Sequence, residues 1–373
     1  MRELRRCEGG GVKGRDRMLA ALRGREPDLV PIWELIINDP VVEAICGSCS
    51  YTDLIELLDM DGCTACESMR FEKLGGRRYR CEWGIVWKVG SNGLLYPIKG
   101  PLRNAKDVYE YSPPDPDADY RLGILYTLVD RFKGERCIVF LGHDAFEFSH
   151  YLVGGIDKLF NLYYRQPDVA HSLAEKVVEY KARVMERAVK EGADVLLSGD
   201  DYADRHGPFL SPSMFRRFIL PYLKEVVGVA KRLGVPFIKH TDGNLWPILD
   251  LLVEAGIDAL HPLEPAAGMD IGRVKRLWGD RIAVVGNVDC SVVLPLLDEH
   301  DVEEVVKETI AKAAPGGGFV LSSSNSIHPG VKPQNFLAMV RAARKYGKYP
   351  IDEDLIKEYS QADFYKRVFG IGG

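Results

Sequence analysis

Eight short apolar, β-prone runs recur along this chain with helical stretches between most of them. This alternation narrows the fold more than any other feature. The runs cover residues 30–35, 62–67, 137–142, 193–198, 235–239, 259–263, 282–286 and 319–323. Stretches with helical apolar spacing fall at 167–191, 211–233, 246–254, 270–277, 302–313 and 333–345. Strands that alternate with helices form βα units with parallel pairing, and eight such units close into a (β/α)8, or TIM, barrel. An open doubly wound sheet is the competing α/β arrangement, but no G-x-G-x-x-G follows any run. The expectation is a single TIM barrel over residues 30–350. An N-terminal helical extension, residues 1–29, precedes it, with a helix at 14–23 after Gly9-Gly10-Gly11 and ending at Gly24. A tail over 351–373 packs on the barrel. Residues 78–98 alternate polar and aromatic side chains around Gly90-Ser91-Asn92-Gly93, which predicts an inserted β-hairpin. Its Trp83 and Trp87 would pack on one face or roof a flat ligand.

The runs end in polar clusters. In a (β/α)8 barrel the chemistry sits at the C-terminal ends of the strands, which puts Glu34, Glu67, His143, Asp144, Asp200, Asp201, His240, Asp242, Glu264, Asn287, Asp289, Cys290 and Asn325 near one face. Singly, each reads as a loop cap or a hydrogen-bonded structural residue. Their convergence is the signal, because several carboxylates and a His around one mouth raise some carboxyl pKa values and supply general acids or metal ligands. The sharpest stretch is His240-Thr241-Asp242-Gly243-Asn244. His240, Asp242, Asp201 and Glu264 are the catalytic candidates. Glu67, His143, Asn287, Asn325 and Tyr202 are the substrate-binding candidates. His240, Asp242 and Cys290 form a candidate metal-ligand set. His150, His206, His261 and His328 read as structural or loop residues.

Composition excludes some functions. The net charge is −5 and Lys/Arg occur at most in short pairs such as Arg77-Arg78, so no nucleic-acid partner is expected. No apolar run approaches the ~20 residues that span a bilayer, and the N-terminus lacks a signal-peptide core. A cytoplasmic protein without a membrane partner is expected. The spacings Cys46-Gly47-Ser48-Cys49 and Cys63-Thr64-Ala65-Cys66 form a double C-x2-C pattern, which alone signals zinc. Strand alternation points Cys63 and Cys66 to opposite faces, which favours free thiols. In a reducing compartment none of the eight cysteines is expected in a standing disulfide.

Several segments, in order, resemble the uroporphyrinogen decarboxylase superfamily. They are Gly14-Arg15-Asp16-Arg17-Met18-Leu19-Ala20-Ala21-Leu22-Arg23-Gly24 with Pro27-Asp28-Leu29-Val30-Pro31, then Leu210-Ser211-Pro212-Ser213-Met214-Phe215 with Pro221-Tyr222. The His240–Asn244 stretch follows, then Gly286-Asn287-Val288-Asp289, and Pro333-Gln334-Asn335 before Tyr346-Gly347-Lys348-Tyr349. The resemblance implies a (β/α)8 barrel and two activities, uroporphyrinogen decarboxylation and cobalamin-dependent methyl transfer. True decarboxylases carry an Arg-rich loop after the first strand, a catalytic Asp after the second and a His near the last. Here those places hold Glu34-Leu35-Ile36-Ile37-Asn38-Asp39, Glu67 and Asn325. A substrate with many carboxylates needs several cations. Zinc-thiolate methyltransferases use H-x-C and a later Cys; here Asp242 takes the place of the first Cys, and no Cys stands near 322–325.

The resemblance therefore implies a methyltransferase acting between a small methylated substrate, of the methoxy-aromatic or methylamine type, and the corrinoid (cobalamin) of a partner protein. Zinc is a further candidate cofactor and a homodimer a candidate assembly. A decarboxylase of a tetrapyrrole or smaller carboxylic acid is the alternative, and a non-catalytic corrinoid or tetrapyrrole carrier the second alternative.

Overall fold

The computed structural model describes residues 12–91 and 93–369. The triple glycine before the first helix, the Asn92 of the hairpin turn and the last four residues lie outside them. Seven parallel strands form one curled sheet in sequential order: β1 (Gly62–Cys66), β2 (Cys137–Gly142), β3 (Val195–Ser198), β4 (Phe237–His240), β5 (Ala259–His261), β6 (Ala283–Val288) and β7 (Phe319–Ser323). Helices surround it, giving a TIM-barrel-like α/β fold.

The eighth expected strand is not continuous. The segment at 30–37 makes isolated parallel bridges, Ile32 to Leu321 and Ile37 to Ile327, on the β7 side. On the β1 side the Asp61 amide donates to the Ile32 carbonyl at 3.0 Å and the Thr64 hydroxyl to the Glu34 carbonyl at 2.9 Å. Pro31 interrupts the segment and has no amide proton for a ladder. It nevertheless bridges both edges of the sheet and delivers Glu34 to the strand tips.

Side-chain alternation sorts the strands into two apolar layers. Val139, Val195, Leu197, Ile238, Ala283, Val285 and Val320 fill the inside, where Met18 and Leu22 of the helix Gly14–Leu22 join them at the N-terminal end. Ile138, Phe140, Leu196, Phe237, Leu260, Val284 and Phe319 face the helical shell. Each such burial contributes about 1.5–3 kcal/mol. The helix Pro167–Glu191 is continuous as predicted, while the stretch at 211–233 divides into Pro212–Phe218 and Leu220–Leu233, with Pro221 opening the second.

Three expectations change. The predicted hairpin is part of a four-stranded antiparallel sheet, Phe71–Gly75, Arg78–Cys81, Val86–Val89 and Leu95–Lys99. Its first strand, Phe71-Glu72-Lys73-Leu74-Gly75, has two adjacent charges and a closing glycine, which read as loop in isolation. Trp83 falls in the turn rather than a strand and is buried between Phe148 and Tyr180. Only Trp87 sits on the sheet, half-buried against Tyr151. Lastly, Cys46 and Cys49 are joined in a disulfide. The helix Asp39–Cys46 ends there, and Gly47 at φ 71° turns the chain so that the two Cα atoms lie 5.7 Å apart. Cys63 and Cys66 are free thiols, as are Cys81, Cys137 and Cys290. The tail forms helices Glu353–Tyr359 and Phe364–Phe369, tied to the helix Glu299–Ala313 by the Tyr359 hydroxyl on Glu304 and the Phe364 amide on Glu308. Among the described residues no helix is long and apolar enough to cross a membrane.

Candidate active site

Two adjacent strand tips, those of β3 and β4, meet at Asp201, His240 and Asp242. His240 is the last residue of β4 and points inward, 5% exposed. Its Nε2 lies 3.8 Å from Asp201 Oδ1 and 3.7 Å from Asp242 Oδ1. Gly243, at φ +89°, turns the chain sharply behind Asp242, with the Ala203 backbone packed against its Cα. The turn is held by Glu264, whose Oε2 accepts the Gly243 amide at 3.0 Å. Asp201 accepts the Asp242 amide at 2.9 Å, and the Asn325 side-chain amide donates to Asp242 Oδ2. Asp242 Oδ1 is buried without a hydrogen-bond partner.

Electrostatics push this group toward neutrality. Burial raises Asp242 well above the usual carboxylate range, and the charges of Asp201 and Glu264 add to it. Burial also raises Asp201, to about 6, and Glu264. His240 is driven well below its ordinary value, first by burial and then by its neighbour His261. The site thus holds a neutral imidazole and carboxyls that readily take a proton.

A second group lies beside it. His143 Nδ1 is 2.8 Å from Asp200 Oδ1 and 3.4 Å from Glu147 Oε2. Asp200 also accepts the amides of Asp144 and Glu147. Behind these, Lys239 is fully buried and donates to Asp144 at 3.2 Å, Ser198 at 3.0 Å and the Asp200 carbonyl at 2.9 Å. Asp201 and Glu147 open on a cavity of about 350 Å³, walled by Pro97, Ile98 and Lys99 of the antiparallel sheet and by His150, Tyr151, Ile156 and Phe209. The size and mostly apolar lining suit a small organic molecule.

The other residues singled out in the sequence are placed differently. Glu67 is sequestered: Lys181 Nζ lies 2.7 Å away and Arg121 Nη1 3.4 Å, and the Tyr180 hydroxyl donates to it. Burial pushes Glu67 up, but these partners outweigh it and hold it below its ordinary value. Tyr202 is 2% exposed, and its hydroxyl is committed to Asp144. Asn287 donates to the Leu263 carbonyl at 2.9 Å and borders a separate cavity of about 320 Å³ under the tail. Cys290 is buried against Ser324, and burial pushes its thiol up to about 11. Among the described residues the two triplets able to hold a metal ion are Asp201–His240–Asp242 and His143–Glu147–Asp200, and neither includes a cysteine.

Sequence reasoning passed over Glu147, which lies in the first turn of the helix Phe146–Val153, just after the loop that carries His143. It also read His261 as structural, although its Nδ1 lies 2.7 Å from His240 Nδ1.

Comparison with known proteins places this geometry. The family model described as Uroporphyrinogen decarboxylase (URO-D) matches residues 93–346. The uroporphyrinogen decarboxylase of Myxococcus xanthus (strain DK1622) is 27% identical over 355 residues, covering 89% of this chain and 97% of that one. The uroporphyrinogen decarboxylase of Thioalkalivibrio sulfidiphilus (strain HL-EbGR7) is 27% identical over 367 residues, covering 89% and 98%. Among solved structures, a methyltransferase from Methanosarcina mazei superposes with a TM-score of 0.71 at 20% identity, covering 90% of this chain and 99% of that one. At that identity the likeness speaks for the fold.

Proposed function

The chain belongs to the uroporphyrinogen decarboxylase family, and on that premise we propose that it transfers a methyl group from a small methylated substrate, of the methoxy-aromatic or methylamine kind, to the corrinoid of a partner protein. The observation that carries this reading is the group Asp201–His240–Asp242, in which a neutral imidazole faces two carboxyls that burial inclines to hold protons. Removing a methyl group from oxygen or nitrogen leaves a strongly basic atom that must be protonated or bound to a Lewis acid. A protonated Asp242 or Asp201 would deliver its proton to the leaving oxygen or nitrogen as the bond to the methyl carbon breaks. Asn325, on Asp242 Oδ2, and the Asp242 amide, on Asp201, would hold the two carboxyls in place. The cavity bordered by Asp201 would keep the substrate body against Ile98 and Phe209 and away from water. In this reading the corrinoid belongs to the partner, and no residue here is assigned to it.

The same residues fit a divalent cation such as zinc. Asp242 Oδ1 is buried with no partner, and the three donor atoms lie within 4.8 Å of one another. The set is one nitrogen and two oxygens, so it suits a cation of nitrogen and oxygen preference rather than a thiol-activating zinc–thiolate centre. When bound, such an ion supplies Lewis-acid stabilisation of the leaving atom.

The test is incubation with a corrinoid protein, a reductant and a panel of methoxylated aromatics and methylamines, read by the visible spectrum of the corrinoid. Methylation with at least one donor is expected. A blank across a broad panel, with folded protein, would sink the reading.

The names of the curated relatives favour a second reading, decarboxylation of a tetrapyrrole or smaller carboxylic acid. Against it, Glu67 and the buried cations Arg121 and Lys181 are consumed by one another, so none is offered to a polycarboxylate. Turnover of uroporphyrinogen would put this reading first.

A further inference from the structure

The cavity beside Asp201 has two unlike sides. The barrel side carries Asp201 and Glu147, and the strand Leu95–Lys99 of the antiparallel sheet forms the other. Among the described residues Lys99 is the one lysine or arginine that lines it, and its ammonium makes no ion pair. Asp201 and Glu147 face His240 and His143 instead. The backbone holds Lys99 in place. The next residue, Gly100, packs so closely on the helix Phe146–Val153 that a Cβ on it would collide with the Leu152 carbonyl. The Leu102 amide donates to that same carbonyl at 3.1 Å. Lys99 is thereby fixed beside the helix that brings Glu147, His150 and Tyr151 to the cavity.

We propose that the methyl donor bears a carboxylate and that Lys99 is the specificity-determining residue that selects it. The inference rests on the methyl-transfer reading above and adds the charge of the substrate to it.

Position and charge lead to this class of donor. The methyl group to be transferred must lie on the barrel side, where Asp201, His240 and Asp242 meet. The body of the donor then lies against Ile98, Tyr151, Ile156 and Phe209, a lining that suits an aromatic ring. Its far end comes to the sheet side, at Lys99. An ammonium without a protein partner on a mostly apolar wall favours an anion over a neutral group, because a carboxylate accepts a charge-assisted hydrogen bond from it. A neutral end leaves that ammonium to water alone. Lys99 and Gly154 also border an adjoining cavity of about 480 Å³. There Lys158 Nζ lies 3.2 Å from where a Cβ on Gly154 would stand. Lys158 makes no ion pair among the described residues, so its charge adds to the positive field along this seam.

Calorimetric titration of the whole chain with 4-methoxybenzoate and with 4-methoxytoluene tests the proposal, because the probes differ only in carboxylate against methyl. At neutral pH the benzoate is expected to bind about tenfold or more tightly than the toluene. In Lys99→Met that advantage is expected to fall below about threefold, with the affinity for 4-methoxytoluene within about twofold of the natural protein's. Lys99→Arg restores the charge and is expected to keep most of the advantage. Lys99 is exposed, so neither change threatens the fold. Arg103 borders only the adjoining cavity and is engaged by Asp107 at 3.3 Å, so Arg103→Ala is expected to alter neither affinity. Equal affinity for the two probes, binding of neither, an undiminished advantage in Lys99→Met or an equal loss in Arg103→Ala would overturn the proposal. The titration needs no turnover, which separates it from the methyl-transfer reading. A blank transfer panel with the benzoate still selected through Lys99 would sink methyl transfer but not the charge preference of the cavity. Transfer from uncharged donors alone would keep methyl transfer and sink the carboxylate.

Discussion

Asp242 Oδ1 stands 3.7 Å from His240 Nε2, and no hydrogen bond reaches it. A buried carboxylate oxygen with no partner costs about 1–3 kcal/mol, and folded proteins retain such a cost mostly where function uses it. Asp242→Asn keeps this buried side chain neutral at every pH, beside Asp201 and Glu264. At neutral pH the variant should melt no lower than the natural protein, and as much as about 1 kcal/mol more stably, while methyl transfer falls by about 10²-fold or more. Thermal unfolding and single-turnover rates on the same preparation check both halves. A variant that keeps full activity would remove Asp242 from the chemistry.

Cation binding gives a separate measurement. Cobalt(II) or zinc(II) added to metal-free protein should raise the melting temperature, with about 2.7 kcal/mol of stabilisation once the ion reaches a hundred times its dissociation constant. His240→Ala and Asp201→Ala should abolish the shift, whereas Cys290→Ser, outside both triplets, should leave it. Equal shifts in all four proteins would place the ion elsewhere.

Glu34 makes stability depend on alkaline pH. Burial holds its carboxyl up at about 8, against the pull of the Ser323 and Ser322 hydrogen bonds. A raised carboxyl pKa means stability that is fully present below the ordinary value and lost as pH rises through about 8. Asp201 adds the same trend through about 6. His261, lowered to about 3 mainly by burial, acts oppositely, and its contribution is lost as pH falls below its ordinary value toward 3. Unfolding free energy followed against pH should therefore decline toward both ends. The difference between Glu34→Gln and the natural protein should shift in the variant's favour by a few kcal/mol from about pH 5 to about pH 9. A difference that does not change with pH would mean Glu34 is ionised throughout.

The Glu67 cluster separates architecture from catalysis. Lys181 and Glu67 are both buried, 2.7 Å apart, so Lys181→Met takes away the nearer of the two cations on Glu67, leaving Arg121 and Tyr180, and should cost about 2–3 kcal/mol. If Glu67 is structural, the activity per folded molecule stays within a few-fold. A loss of activity without loss of stability would restore Glu67 to the site and favour the decarboxylase reading.

Gly243 is fixed by space as well as by its φ of +89°. An added Cβ would sit 2.6 Å from the Ala203 carbonyl carbon and the Asp204 oxygen. Gly243→Ala should destabilise the protein by about 2 kcal/mol or more and displace Asp242, with a matching drop in cation affinity. Denaturant unfolding and cobalt titration read the two effects.

Much of this was legible in the chain. Pro167–Glu191 appears as predicted because its helical periodicity runs long and regular, and Phe319–Ser323 because a short apolar run between turn signals marks a buried strand. The His240–Asp242 pair was visible because a polar cluster at the end of an apolar run marks a strand tip. Tyr202 shows the limit. It directly follows Asp201, yet its hydroxyl goes to Asp144, 58 residues away in sequence. Glu67 looked available for the same reason, because Arg121 and Lys181 are distant in sequence.

By itself, then, the sequence determined the alternation of strands and helices, the parallel sheet and the face on which polar residues would gather. Those follow from period and order, which are local properties. Only the tertiary structure decided which of those residues share a site. Sheet curvature brings Asp201 beside Asp242 and His240 beside His261, and it buries Glu34 against Ser322 and Ser323. Distances between strand tips, and the burial that sets their charge, depend on how the whole sheet closes, and no local stretch of the chain encodes that.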